Sequence, residues 1–197
     1  MKIILASGSP RRKQLMELAG LSCEILISNV DETISGAPEY QVTELSLRKS
    51  RATLELLKSR EKIAFTDTVI IAADTLVYID GEVLGKPANA EEAFVMLKNL
   101  SGKAHKVYTG VTLLKTDAGG EDEVSTFFDV TSVFFHSLTD EEINAYIQTG
   151  EPFDKAGAYG VQEKGAVLVD HVEGDFYTVV GLPISKVYRA LKKIKAL

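Results

Sequence analysis

The chain has 197 residues, of which 45% are hydrophobic and 25% charged, and its formal net charge is -6. That balance describes a globular chain able to bury a sizeable core. The acidic excess argues against a broad nucleic-acid-binding surface, so any anion site must be a local cluster. Cys23 is the single cysteine, which leaves no intrachain disulfide. No apolar run approaches the ~20 residues of a membrane span. The opening MKIILASGSPRR is too short in its apolar part for a secretory signal, so a cytoplasmic protein with no membrane or nucleic-acid partner is expected. One domain over residues 1–197, in two lobes, is the default organisation.

In chain order, KIILAS reads as a buried strand and residues 10–19 as a helix stopped by Gly20. CEILIS reads as a second strand, and NVDETISGAPEY as a polar loop. Residues 41–60 form a long helix with Val42, Leu45, Leu54 and Leu57 on its apolar side. Val69 to Ala73 is a continuous apolar run, as in a strand covered on both faces. Asp80-Gly81 signals a hairpin, and residues 90–100 a helix capped by Asn89. HKVYTGVTLL and EVSTFFDVTSVFF alternate as strands about a Gly119-Gly120 turn. Thr139 to Glu142 is a capping box for the next helix. The Gly-rich EPFDKAGAYGVQ loop follows, then GAVLVDHVEG, FYTVVGLP and a terminal helix from Ile184. The alternation implies an α/β fold, a mixed twisted sheet flanked by helices.

Four segments could carry chemistry. In LASGSPRRK, Ser9 is a good N-cap and Pro10 a good first helical residue, yet Arg11, Arg12 and Lys13 crowd a turn where the helix dipole favours acids. Strand, Gly-Ser turn and helix N-terminus can bind an anion, with Ser7 and Ser9 at the turn and arginines gripping phosphate oxygens. A capped surface helix with solvated arginines is the alternative. Asp74 ends the apolar run, and a carboxylate at the carboxyl end of an α/β strand lies where ligands bind. It could hold a divalent metal, act as a general base on water, or simply form a turn. Lys86, between Gly85 and Pro87, is a point charge for phosphate or an exposed loop lysine. The EPFDKAGAYGVQ loop gathers Glu151, Asp154, Lys155 and Gln162 among glycines, and Gln162 offers the donor and acceptor that suit a nucleobase edge. His105, His136 and His171 are scattered through strand-like stretches, and Cys23 suits a small core residue.

Taken together, LASGSPRRK, Asp31-Glu32, RKSRA with Lys49, AADTLV, GEVLGKP, LSGKAHKVYTGV, EPFDKAGAYGVQ and VVGLPISK resemble the Maf family of nucleotide pyrophosphatases. These pieces run in order from residue 3 to about residue 186. Two small departures are Ser50, where a Lys-Ala pair is usual, and Glu163, where glycine often follows the glutamine. The resemblance implies two lobes around a cleft, similar to the inosine-triphosphate-pyrophosphatase-like fold. It implies hydrolysis of nucleoside triphosphates to monophosphate and diphosphate with a divalent cation, Mg²⁺ or Mn²⁺. Asp74 would be the proton acceptor and would share the metal with Glu32. Arg12, Lys49, Lys86 and Lys155 would neutralise the phosphates. Arg11, Thr75 and Gln162 match positions that set base specificity, in the branch linked to dTTP and UTP. A nucleotide-binding regulator of cell division and a purine-cleaning pyrophosphatase stand as alternatives, and a homodimer stays open.

Overall fold

An uninterrupted apolar run in a strand needs cover on both faces, and Val69 to Ala73 has it: all five residues are fully buried in the computed structural model. The structure describes residues 1–60, 67–116 and 122–197. In chain order the elements are β1 (Lys2–Leu5), α1 (Pro10–Leu18), β2 (Glu24–Ile25), α2 (Pro38–Arg60), β3 (Thr68–Ile79), β4 (Glu82–Leu84), α3 (Ala90–Leu100) and β5 (Ala104–Thr116). Then come β6 (Asp122–Phe135), α4 (Asp140–Ile147), β7 (Val169–Glu173), α5 (Phe176–Val180) and α6 (Ile184–Lys193). Short 3-10 turns occupy Glu151–Asp154, Ala156–Ala158 and Glu163–Leu168. The strands form one sheet in the order β2-β1-β3-β5-β6-β7, with β4 paired to β3. β1 is parallel to β2 and β3, whereas β4 and β7 are antiparallel to β3 and β6, so the sheet is mixed as expected.

Two compact units divide the chain. The first takes Met1–Asp74, Thr109–Asp129 and Gly181–Leu197; the second takes Thr75–Tyr108 and Val130–Val180. In the first unit, Ile4, Ala6, Leu26, Ile70, Ala72 and Leu114 pack with Leu54 and Leu57 of α2 in one apolar cluster. The helix buries Val42, Leu45, Leu54 and Leu57, as its periodicity predicts, but also Ser46, Ser50 and Thr53. Their hydroxyls find partners, because an unpaired polar group in a dry core costs free energy. Ser46 Oγ meets Thr112 Oγ1 at 2.8 Å, Ser50 Oγ donates to Leu47 O at 2.8 Å, and Thr53 Oγ1 meets Ser28 Oγ at 2.9 Å. Ser50, the first family departure, is thus accommodated by its own helix. α2 also lies hard against β5: a Cβ at Gly110 would collide with the Val42 carbonyl.

In the second unit the expected hairpin joins β3 to β4 through Asp80 and Gly81, both with positive φ. Asn89 caps α3, its side chain accepting from Glu92 N, and the Thr139–Glu142 capping box caps α4. α3 packs against α4.

Several expectations need correction. β2 is only Glu24–Ile25, not all of CEILIS; both of its residues are exposed, so little burial extends it. α2 begins at Pro38, three residues before the predicted start, since proline is well placed in a first helical turn. Asp74 does not end its strand: β3 continues to Ile79. What ends nearby is β1, whose pairing with β3 stops at Leu5↔Ile71. The Gly119-Gly120 turn lies outside the described residues. Among the described residues no helix is long and apolar enough to cross a membrane.

Candidate functional site

The three cations of the first helical turn have separate fates. Ser9 caps α1 as expected, its side chain accepting from Arg12 N, with Pro10 at the first position. Lys13 lies on the exposed side, 3.5 Å from Glu17 one turn on. Arg12 turns inward. Its Nε donates to Gly181 O at 2.8 Å, and its Nη1 donates to Ala73 O at 2.8 Å and to Ser7 Oγ at 3.1 Å. Ser7, buried, also accepts from Ser9 N at 3.2 Å. The solvated-arginine alternative is therefore wrong for Arg12. Burial lowers its pKa from the usual arginine value, opposed by the negative charge of Asp74, while Arg11 adds a smaller lowering.

β3 runs on beyond the end of β1, so the Ala73 carbonyl has no β1 backbone partner, and the Arg12 guanidinium takes it. The next residue is Asp74, half-buried in the first unit. Its Oδ1 accepts from Lys49 Nζ at 2.6 Å, and the same ammonium lies 2.7 Å from Glu32 Oε1. Lys49 comes from the inner side of α2, one position before buried Ser50. Glu32 comes from the loop before α2, which Arg48 braces: its Nη1 donates to the Asp31 and Thr33 carbonyls while its Nε pairs with Glu44. The Thr33 backbone N–H, donating to Asp31 Oδ1 at 2.8 Å, holds that carboxyl below the usual range. The first unit thus brings together Ser7, Ser9, Arg12, Glu32, Lys49 and Asp74 from elements far apart in sequence, and Arg11 is half-buried beside them on α1.

Two carboxylates already converge on one positive charge here. Among the described residues no group of three or more His, Cys, Asp or Glu is poised around a metal, so a closed site of the zinc type does not fit. A hard divalent cation needs less from the protein, because it keeps waters and takes phosphate oxygens beside one or two carboxylates. Asp74 and Glu32 fit that demand.

Thr75, Lys86, Lys155 and Gln162 belong to the second unit. Thr75 is half-buried in β3, and Lys86 is exposed in the loop after β4. Lys155 is buried, its Nζ donating to Glu151 O at 2.8 Å and to Asp154 Oδ1 at 2.7 Å. Gln162, half-buried, ends a braced loop. Gly157 N donates to Gly85 O at 2.9 Å, which ties this loop to the GKP segment; Gly160 N donates to Tyr146 Oη at 3.1 Å; and Lys164 N donates to Glu151 Oε1 at 3.3 Å. Burial raises the pKa of the Tyr146 hydroxyl. Glycine at 157 is required twice over, by a φ of 69° and by Val77, whose side chain would meet a Cβ at 2.9 Å. Glu163, the second family departure, has a φ of 59°. The glycine usual there would adopt that conformation without the Cβ clash.

A family model described as "Maf-like protein" matches residues 2–194. The chain belongs to the Maf family. It is 49% identical over 194 residues to a Bacillus cereus protein named dTTP/UTP pyrophosphatase, covering 98% of this chain and 95% of that one. A Bacillus anthracis protein with the same name is 48% identical over the same shares. The Staphylococcus aureus Ham1 protein is a distant structural likeness: 14% identity, a TM-score of 0.40, and 68% of this chain against 72% of that one. Membership rests on the family match and not on that likeness.

The histidines hold what the sequence does not reveal. His136 and His171 are not scattered: both Nδ1 atoms face Asp170, at 3.7 and 2.8 Å, because His171 follows Asp170 in β7 and the pairing of β6 with β7 brings His136, the residue after β6, alongside. His105 is buried, and its Nε2 lies 2.7 Å from Tyr159 Oη. Burial lowers the His105 pKa to about 4, so the ring is neutral near pH 7. Cys23 is half-buried rather than a full core residue.

Two outcomes test these geometries. Arg12→Ala leaves the Gly181 and Ala73 carbonyls without their charged donor and is expected to lower Tm by roughly 5–15 °C, with Arg12→Lys recovering little of it. Thermal unfolding checks this, and an unchanged or raised Tm contradicts the inward placement of the side chain. Glu163→Gly relieves the left-handed strain, partly offset by glycine's greater freedom in the unfolded chain, for a gain of about 0.5–1 kcal/mol. The same melting curves should rise by roughly 1–4 °C.

Proposed function

We propose that the protein hydrolyses nucleoside triphosphates, dTTP and UTP in particular, to the monophosphate and diphosphate. The observation that carries this reading is identity of 48–49% over 98% of the chain with proteins named dTTP/UTP pyrophosphatase. In this reading water attacks the α-phosphorus, and the bond from that phosphorus to the oxygen bridging to the β-phosphate breaks, so diphosphate leaves. Asp74 accepts the water's proton. Lys49 Nζ, 2.6 Å from Asp74 Oδ1, holds the carboxylate in place for that role. Lys49 and Arg12 put two positive charges beside that carboxylate within an acidic chain. Lys86 and Lys155 of the second unit contribute positive charge toward the phosphates, and Ser7 and Ser9 contribute hydrogen bonds at the turn. Preorganised charge of this kind supplies most of the rate in phosphoryl chemistry. Asp74 and Glu32 are the residues that would hold a Mg²⁺ or Mn²⁺ ion; such an ion, when bound, neutralises phosphate charge and polarises the reacting phosphoryl group.

Arg11, Thr75 and Gln162 read the base. Uracil and thymine offer O4 as acceptor and N3–H as donor, which an amide side chain complements, whereas cytosine reverses that pattern. The thymine methyl is a weaker handle, worth about 1–3 kcal/mol, so both dTTP and UTP are accepted. A cytoplasmic location suits a soluble nucleotide substrate.

Asp74→Asn keeps the shape of the side chain and leaves Lys49 its second partner, Glu32. It is expected to cut kcat by about 10²–10⁴-fold with little change in Tm; turnover within about threefold of the parent enzyme would overturn the assignment of the base. A panel of triphosphates, assayed by diphosphate release with Mg²⁺ or Mn²⁺, tests the substrate. The expected result is kcat/KM for dTTP and UTP well above CTP, with Gln162→Ala narrowing the gap more than it slows dTTP hydrolysis. Preference for inosine or xanthosine triphosphate would indicate a purine-cleaning enzyme, and binding without diphosphate release would indicate a regulator.

A further inference from the structure

The loop that carries Gln162 is held in an unfavourable backbone course. Gly157, Ala158 and Glu163 have φ values of 69°, 61° and 59°. Non-glycine residues stay in the left-handed region only where their surroundings hold them there. Gly85 O, Tyr146 Oη and Glu151 Oε1 hold backbone amides of this segment. A further anchor is made by side chains at both ends: His105 Nε2, from β5, lies 2.7 Å from Tyr159 Oη, three residues before Gln162.

That anchor sits in an aromatic box. The His105 ring meets Phe135 and Tyr159 edge to face at 5.1 and 5.3 Å, and Phe135 meets Tyr159 at 4.7 Å. His105 and Tyr159 are 3% and 5% exposed. Among the described residues, His105 Nδ1 is buried with no hydrogen-bond partner. If packing alone were needed, an apolar ring would fill the box without the cost of that unpaired nitrogen. What the imidazole adds is the bond from Nε2 to Tyr159. Depression of the His105 pKa keeps the ring neutral, so no buried charge accompanies that bond.

From Tyr159 the backbone is extended, at φ -145° and ψ 157°, and Gln162 is extended again at φ -96° and ψ 173°. Only Gly160 and Val161 separate Tyr159 from Gln162, so a shift at Tyr159 has a short length of backbone to cross before it reaches Gln162. We propose that His105 is a positioning residue for base recognition: through its hydrogen bond to Tyr159 it fixes the segment that presents Gln162, and so sets the discrimination between uracil or thymine and cytosine. This rests on the reading of Gln162 as the residue that engages the base.

The test is kcat/KM for dTTP and for CTP, measured with Mg²⁺ on the full chain and on its variants. His105→Phe keeps an aromatic ring and removes the hydrogen bond; Tyr159→Phe removes the other end of it by one oxygen. Each is expected to shrink the dTTP-to-CTP ratio about fivefold to tenfold, the scale of one neutral hydrogen bond, mainly through a higher KM for dTTP. The double variant should be no worse than either single one, since both delete the same contact. His105→Gln, which can still reach Tyr159 Oη, should restore much of the ratio. Core packing alone would move Tm and leave the ratio alone. A folded His105→Phe with a ratio within about twofold of the parent overturns the proposal, and Tyr159→Phe decides in the same way if the histidine variant does not fold. Gln162→Ala separates the two readings. If it collapses the ratio while the His105 and Tyr159 variants do not, only the positioning role falls; if none of them changes the ratio, base reading by Gln162 falls with it.

Discussion

The first unit depends on one guanidinium. Arg12 donates to carbonyls of β3 and of the segment before α6, and to the Ser7 hydroxyl in the turn that follows β1. Each acceptor lies where regular pairing has stopped: Ala73 is beyond the reach of β1, and Gly181 lies in the turn between α5 and α6. A buried carbonyl left unpaired costs free energy, and a planar guanidinium, with donors on separate nitrogens, can satisfy acceptors spread more widely than a single ammonium nitrogen reaches. The cation that looks misplaced at a helix N-terminus is thus a structural tie, and the favourable hydrogen bonds exceed the dipole cost of about 0.3–1 kcal/mol.

The tie has an electrostatic consequence. It fixes the peptide before Asp74, so that carboxylate stands between Arg12 and the Lys49 ammonium. Lys49 in turn draws in Glu32 from an exposed loop. In a chain with net charge -6, a local pair of cations around a carboxylate makes a region where a polyphosphate and a hard divalent cation could both be accommodated. The long-range field of such a chain would repel a nucleotide, so attraction must come from short-range contacts, which salt screens less.

The second unit solves a different problem. Its Gly-rich segment turns sharply on either side of Gln162: left-handed Gly157 and Ala158 come before it, and left-handed Glu163 directly follows it. The strain persists because amide anchors and the His105–Tyr159 contact over-determine the path. Lys155, expected as a phosphate contact, is drawn into the same bracing by Glu151 O and Asp154. Its charge therefore acts from a fixed point rather than from a mobile arm.

Much of this was legible in the sequence by itself. Caps at Ser9, Asn89 and Thr139 and the Asp80-Gly81 turn follow from contacts within a few residues, and the buried run from Val69 follows from apolarity alone. The motif order carries family membership for the same reason, since each motif is local. Strand ends were less legible: β3 runs past Asp74 because a neighbouring strand, β4, pairs with its second half. Tertiary structure alone decided the partners of Arg12, which lie 61 and 169 residues away, and the pairing of His105 with Tyr159 across 54 residues. The physical reason is that the acceptors of Arg12 are mainly backbone carbonyls. Every residue has one, so no side chain in the sequence marks which of them folding will leave unpaired beside a guanidinium.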